Sequence, residues 1–399
     1  RPPVDVSRLT RMTIYVVILL TLLTHTAFKG SRVLISLYAI NFGASPFEIG
    51  ILFSMYSVFP VLLSVYAGRI SDRLGFRLPM MFGACGLMIG LVLPFVLPHL
   101  ATLYASATLI GMCYIFYTVS VQHLIGAAGE GHERTRNYSL FALGIAVTAM
   151  LGPTSAGFAI DYMGHRATYL MLAVMPALPF LALLVFPALL PRLHAKEEQR
   201  HGQRLMDLVR DPPLRRALIA AGLVETGLEL FNFFLPIYGH YSGLSASEIG
   251  ICMGAFAAAL LVVRGIMPTL TRRSSEEAVL SGSLFMAAAT ALLFPLVSSF
   301  ALLMLVSFVL GLGLGCGSPL SMILSYNRAP AGRTGEAMGL RQTVNKATEV
   351  MMPVIFGSLS TALGMPPVFW MEAAILAWAG VLARRDAVRK TVPATAKQP

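Results

Sequence analysis

Long apolar runs, interrupted by glycine, proline or short charged stretches, follow one another along the whole chain. Each run is long enough for the roughly 20 residues that an α-helix needs to cross the hydrocarbon core of a bilayer. A transmembrane β-barrel would instead show segments of about ten residues with alternating polarity, and these runs are too long and too uniformly apolar for that. The pattern predicts an all-α membrane protein with twelve transmembrane helices, over residues 12–40, 46–69, 78–98, 100–124, 137–160, 166–190, 214–240, 246–271, 276–297, 299–326, 336–362 and 366–384.

Composition agrees with this pattern. Of the 399 residues, 56% are hydrophobic and only 12% are charged, with a mean hydropathy of +0.73, whereas about a quarter of the residues of a soluble domain are charged. These values exclude a disordered protein, a nucleic-acid-binding protein and an ordinary soluble enzyme. The four cysteines lie in apolar runs without a C-x-x-C spacing, so we expect buried small side chains and neither disulfides nor metal ligands. No cofactor or metal is predicted.

The net charge of +11 is a topology signal. If the N-terminus is cytoplasmic and twelve helices alternate, nearly all of the lysines and arginines fall in cytoplasmic segments; the exceptions are Lys29, Arg32, Arg166, Arg264, Arg341 and Lys346. Basic residues favour the cytoplasmic side, and an odd number of helices would destroy the separation. We therefore expect both termini in the cytoplasm of a bacterial inner membrane.

An internal repeat divides the chain into halves. Seven residues recur 200 positions later with the same identity: Tyr38, Gly43, Ser45, Glu48, Ile49, Gly50 and Ile51. The one long polar stretch, within residues 191–213, lies between the sixth and seventh predicted helices. The sequence predicts a six-helix bundle over 1–190, a cytoplasmic linker over 191–213, and a second bundle with a basic tail over 214–399. Parallel repeats of this kind place a substrate site between the halves near the middle of the membrane.

The loop between the second and third predicted helices, residues 68–77, reads Gly-Arg-Ile-Ser-Asp-Arg-Leu-Gly-Phe-Arg. It resembles the signature G-x-x-x-D-R/K-x-G-R/K of the major facilitator superfamily, and the residues of the motif here are Gly68, Asp72, Arg73, Gly75 and Arg77. Phe76 stands where a basic residue is usual. The resemblance implies a transporter in which this loop is a cytoplasmic latch, with Asp72 at a helix end. The glycines would allow a close approach at residue 68 and a tight turn at residue 75.

The fifth predicted helix contains a second motif, Gly152, Pro153 and Gly157. It resembles the end of the glycine-proline motif of drug/proton antiporters in the same superfamily. The alternative is a kinked helix that packs through small residues. The arginine that those antiporters usually carry in helix four is missing between residues 101 and 122, which argues against a drug-antiporter mechanism.

Ionisable groups inside the apolar runs are the candidate functional residues, because each costs about 2.5–3.5 kcal/mol on insertion scales. Most of them fall on the first, seventh and eleventh helices, and the first and seventh line the central cavity in the superfamily that the chain resembles. Structural ion pairs and side chains that reach the interface are the alternative explanation. The candidates for substrate binding and proton coupling are His25, Lys29, Arg32, Glu225, Glu229, Asn232, Arg341, Gln342, Asn345, Lys346 and Glu349, and Arg264 on the eighth helix is a further charge within a span.

These features predict a secondary transporter that moves a small solute by alternating access, in the lipid bilayer, as a monomer, without nucleic acid and without enzymatic activity. One hypothesis is proton-coupled export, with Glu225 or Glu229 as the proton carrier. The repeat matches His25 with Glu225 and Lys29 with Glu229, so the last two are predicted to form a pair that opens and closes. The alternative is uniport or exchange of a small organic anion bound by Lys29, Arg341 and Lys346. A receptor or scaffold without transport is the third possibility.

Overall fold

The computed structural model describes residues 6–127, 132–187, 190, 205–330 and 333–391. The regular structure of these residues is helical, which confirms the predicted fold class. The helices are α1 (Val6–Asn41), α2 (Pro46–Leu74), α3 (Arg77–Val96), α4 (Leu100–Ala127), α5 (His132–Val185), α6 (Leu205–Arg210), α7 (Pro212–Tyr241), α8 (Ala246–Arg273), α9 (Glu276–Leu293), α10 (Phe300–Gly315), α11 (Gly317–Asn327), α12 (Thr334–Leu363) and α13 (Pro366–Thr391), with a 3-10 turn at Phe294–Leu296.

Ten helical segments of the described chain are long and apolar enough to cross a membrane. One of them, residues 140–185, has 46 residues and holds two predicted spans, which meet at Gly164 with a φ of 78°. Helix α12 is missing from the ten because Arg341, Lys346 and Glu349 lower its hydropathy. With these two adjustments the described helices account for the twelve predicted spans.

Several helix ends differ from the prediction, and one predicted helix is divided. The predicted helix 299–326 is divided into α10 and α11 around Cys316, and the predicted helix 276–297 ends at Leu293. The sixth span ends at Val185 instead of residue 190. Most of the predicted linker, residues 191–204, lies outside the described residues. After it come α6 and then α7, whose N-terminus is capped by Asp211: its Oδ2 accepts a hydrogen bond of 3.1 Å from the backbone N–H of Leu214.

The internal repeat is explained by a shared turn and helix cap. Gly43 and Gly243 both have a positive φ, 78° and 82°, which glycine adopts without steric cost. Two residues later the next helix begins with a reciprocal cap, in which the Glu48 carboxylate accepts from the N–H of Ser45 at 2.7 Å and the Ser45 hydroxyl accepts from the N–H of Glu48. Ser245 and Glu248 repeat the same pair of bonds. Identical residues recur because both helices start in the same way.

Contacts divide the chain into two compact units. The first contains the described residues up to 190 together with 245–254, and the second contains the described residues of 205–244 and 255–391. Helix α1 packs on α5 and α3 packs on α4 in the first unit, while α7 packs on α12 and α9 packs on α13 in the second. The domain boundaries predicted at residues 190 and 214 stay predictions.

Candidate functional site

In the second unit, charged side chains of α7 and α12 form a cluster. Oε2 of Glu225 accepts a hydrogen bond of 3.0 Å from Nδ2 of Asn345, although 120 residues separate the two in the chain. Glu225 also interacts electrostatically with Glu349, Glu229, Lys346 and Arg341. We call these five charged residues together with Asn345 the acid–base cluster. It brings together six of the residues that the sequence predicted as functional.

Lys346 and Glu349 form an ion pair within α12, with 2.5 Å between Nζ and Oε1. The Lys346 side chain is 41% exposed and that of Glu349 only 15%, so the cluster has an accessible cation beside carboxylates that are largely buried. Glu229 is 5% exposed.

Arg341 is held by the broken tenth span. Its Nη2 donates to the carbonyl oxygen of Ser318 at 3.1 Å and lies 3.4 Å from the hydroxyls of Ser318 and Ser321. The break between α10 and α11 at Cys316 places these serines at the start of a new helix. Arg341 is 7% exposed, and its Nε is buried without a hydrogen-bond partner among the described residues. The two serines were missed in the sequence, because a serine in a helix usually bonds its own backbone.

Two predicted residues, Asn232 and Gln342, have no described contact with the acid–base cluster. Asn232 donates from Nδ2 to the carbonyl oxygen of Leu228, one turn earlier in α7, at 2.8 Å. Gln342 is exposed on α12. Arg264 on α8 is exposed as well.

In the first unit the candidates on α1 lie against aromatic side chains. Nδ1 of His25 is hydrogen-bonded to the Tyr114 hydroxyl, and the ring of Phe28 stacks on that of Tyr114 with 3.9 Å between centroids. The Arg32 guanidinium lies 4.6 Å from the centroid of Phe53 and is 7% exposed. Lys29 is partly buried on the same helix. Tyr114 was missed, because a tyrosine in an apolar run gives no signal of its own.

The gating motif is partly described. Gly75 has a φ of 75°, as the predicted turn requires. Arg77 donates to the carbonyl oxygens of Leu183 and Leu184 at the end of α5, where a cation meets the negative end of the helix dipole. Arg73 is exposed. The side chain of Asp72 lies outside the described part of the chain, so the latch stays a prediction.

Two further positions in this loop are described. Among the described residues, the heavy atom nearest to where a Cβ of Gly68 would be is Cε1 of His123, 3.9 Å away, and the close approach at this residue stays a prediction. Phe76, which replaces a usual basic residue, is 3% exposed and belongs to a core cluster with Met80 and Tyr117. It anchors the loop through apolar packing.

The helix-five motif packs against two other helices of the first unit. A Cβ at Gly152 would lie 2.9 Å from both the N of Gly30 and the carbonyl oxygen of Thr26 on α1. Farther along, Gly157 and Pro153 lie against the beginning of α8, where the Thr154 hydroxyl donates to the carbonyl oxygen of Gly250 at 3.1 Å.

Two further acids lie outside the predicted set. Asp161, on α5, accepts hydrogen bonds from the backbone N–H groups of Ala246 and Ser247 at 3.1 and 2.7 Å and so caps α8. Glu372 on α13 is 2% exposed. The sequence could have indicated Glu372 as a candidate, since it is an acid inside the predicted span 366–384.

Comparison with known proteins agrees with this architecture. The model of the Major Facilitator Superfamily matches residues 17–347 and 217–399. The multidrug resistance protein MdtG of Enterobacter lignolyticus is 23% identical over 89% of this chain and 87% of its own. The quinolone resistance protein NorA of Staphylococcus aureus is 22% identical over 81% and 83%.

Two further similarities are more limited. The synaptic vesicular amine transporter of Bos taurus is 26% identical over 48% of this chain, and the match spans only 37% of that protein's length. A crystal structure of the peptide transporter POT superimposes with a TM-score of 0.78 over 94% of each chain at 14% identity; this likeness concerns the fold. Since the family model covers more than half of the residues, the chain belongs to the Major Facilitator Superfamily, a family of membrane transporters and not of enzymes.

Proposed function

We propose that the protein is a proton-coupled antiporter that exports a small cationic or amine-bearing solute by alternating access. The observation that carries this proposal is the charge of the acid–base cluster. Three carboxylates, Glu225, Glu229 and Glu349, share their surroundings with two cations, Arg341 and Lys346.

With all five groups ionised, the cluster has one negative charge in excess. An uncompensated charge is costly inside a membrane, and crowded carboxylates share protons as a group. One proton would neutralise the cluster, and so would one cationic solute. Competition between the two for the same carboxylates is the physical basis of antiport, because each occupant drives the other out.

The relatives support this proposal. Two bacterial proteins that match more than four-fifths of the chain are named for multidrug and quinolone resistance, and the vesicular protein that matches a shorter segment is named for amine transport. The distribution of basic residues supports an orientation with both termini in the cytoplasm of a bacterial inner membrane. Function as a monomer is part of the proposal.

A second candidate, exchange of a small organic anion, is favoured by one observation. The Nε of Arg341 is a buried donor without a hydrogen-bond partner among the described residues, and a guanidinium suits a carboxylate or phosphate. The acids of the acid–base cluster outnumber its bases, which favours binding of a proton or a cationic solute over binding of an anion.

The test uses the full chain in proteoliposomes with the membrane potential clamped at zero and ethidium as the cationic probe. We expect ethidium accumulation only with a pH gradient, and Glu229→Gln should abolish that dependence and slow ethidium exchange, because the variant lacks the excess negative charge for which the proton and the solute compete. Glu276→Gln, an acid at the start of α9 outside the cluster, is the matched control. Full pH-driven accumulation by both Glu225→Gln and Glu229→Gln would show that the acids are structural. Exchange of succinate in place of ethidium would favour the anion alternative.

A further inference from the structure

Glu372 is a buried acid with no role in the acid–base cluster. It lies in α13, is 2% exposed, and its Oε1 has no hydrogen-bond partner among the described residues. Buried polar groups are almost always paired, so an unpaired carboxyl oxygen in a helix core needs an explanation.

The neighbours of Glu372 along α13 show where its carboxyl lies. One turn before it, the ring of Phe369 packs against those of Phe234 and Phe294, with centroids 6.0 and 4.9 Å away. One turn after it, Leu376 lies against α7, 3.1 Å from where a Cβ of Gly227 would be. Glu372 is thus at the level of α7 between these two contacts, within one turn of Glu229 and inside an apolar core.

The helices packed against α13 are α7, α9 and α12. Their charged and titratable groups are Arg215, Arg216, Glu225, Glu229, Tyr238, His240 and Tyr241 on α7, Glu276 and Glu277 on α9, and Glu336, Arg341, Lys346 and Glu349 on α12. None of these groups is hydrogen-bonded to Oε1 of Glu372 in the described part of the chain. A carboxylate without a cation or a donor is too costly in such surroundings, so the group is neutral.

The internal repeat shows that packing does not require an acid here. The residue 200 positions earlier is Leu172, which is fully buried and packs against α1, 3.3 Å from where a Cβ of Gly30 would be. A leucine has nearly the volume of a glutamate, and buried ionisable groups can be replaced by apolar residues with little loss of stability.

We propose that Glu372 is a second proton-binding residue of the transport cycle, protonated in the conformation described and able to release its proton to water when another conformation of the cycle exposes its carboxyl. The O–H bond of the carboxyl breaks, the proton passes to water, and the carboxylate remains hydrated until it takes up a proton and is buried again. This proposal rests on the proposed proton coupling and adds a second coupled proton to it.

A test that needs no substrate is thermal unfolding in detergent between pH 5 and pH 8. The folded chain holds the Glu372 proton while the unfolded chain loses it near the ordinary carboxyl range, so the contribution of Glu372 to wild-type stability becomes less favourable as pH rises. The melting temperature of Glu372→Leu should therefore exceed that of the wild type by an amount that grows with pH. Ser360→Ala is the control: it removes a buried hydroxyl that has no hydrogen-bond partner among the described residues and does not titrate. Its melting temperature should differ from that of the wild type by the same amount at every pH. A constant difference for Glu372→Leu would overturn the proposal.

The coupling itself is tested by ethidium accumulation in proteoliposomes at a gradient of one pH unit with the membrane potential clamped at zero. Each coupled proton contributes about a tenfold accumulation per pH unit. Glu372→Gln and Glu372→Leu should both lower the ratio about tenfold while ethidium exchange stays at the wild-type rate.

The outcomes separate the two proposals. A wild-type ratio in both Glu372 variants, with loss of pH dependence in Glu229→Gln, would overturn the role of Glu372 and leave the proposed function standing. If the wild type shows no pH-driven accumulation, proton coupling fails, and the role of Glu372 fails with it even if its unfolding depends on pH.

Discussion

The hydrogen bond from Asn345 to Glu225 offers a quantitative test of the acid–base cluster. Asn345→Ala removes the donor that lies 3.0 Å from Oε2 of Glu225 and leaves the carboxylate in place. A hydrogen bond to a charged group contributes about 1.5–3 kcal/mol, and one pH unit corresponds to about 1.36 kcal/mol. Without the donor the charged form of Glu225 loses that stabilisation, so it should keep its proton to a pH higher by about 1–2 units.

A second substitution at the same position should give a larger shift. Asn345→Asp sets a carboxylate about as close to Glu225 as the amide is now. At an effective dielectric constant of about 20, two unit charges 3 Å apart repel by about 5–6 kcal/mol. The two acids would then share one proton through the neutral pH range.

The assay is the rate of ethidium exchange in proteoliposomes from pH 5 to pH 9, with equal pH on both sides. The midpoint of the profile should rise from the wild type to Asn345→Ala and again to Asn345→Asp. Thr343→Ala, an exposed residue two positions earlier in α12, should leave it unchanged. An unshifted or lowered midpoint in Asn345→Ala, in protein that melts like the wild type, would refute control of Glu225 by Asn345.

Three further predictions concern packing and gating. Asp161→Ala should destabilise the protein by about 1.5–3 kcal/mol, because two backbone N–H groups of α8 lose a charged acceptor. In thermal unfolding the melting temperature of Asp161→Asn should lie between those of Asp161→Ala and the wild type. Equal melting temperatures of all three proteins would contradict the cap. Gly83→Ala should lower the melting temperature, since its Cβ would lie 2.8 Å from both the carbonyl oxygen of Cys113 and the N of Tyr117 on α4. Gly265→Ala, where no described atom lies within 4 Å of the new Cβ, should raise the melting temperature, because alanine stabilises a helix by about 0.5–1 kcal/mol relative to glycine. Asp72→Asn should shift the balance of access states without loss of folding, and unchanged accessibility of cysteine probes together with unchanged transport would argue against the latch.

The sequence by itself determined the number and order of the spans and the repeat. Apolar runs of about 20 residues have few alternatives in a bilayer, since the backbone must satisfy its own hydrogen bonds there. The turn at Gly43 and the cap of Ser45 and Glu48 are local, so their recurrence at Gly243, Ser245 and Glu248 is visible as identical letters. The cost of charge in a membrane likewise singles out Glu225 and Lys346 from the sequence alone.

Tertiary structure decided which of these groups meet. Helical spacing places residues on one face of a helix but does not give the rotation of that helix against its neighbours, so the bond between Asn345 and Glu225 could not be derived from spacing alone. The serine partners of Arg341 depend on the break at Cys316, which glycines on both sides permit but do not require. The lack of a hydrogen-bond partner for Oε1 of Glu372 among the described residues is also a tertiary property, because it depends on which side chains the neighbouring helices α7, α9 and α12 turn toward it.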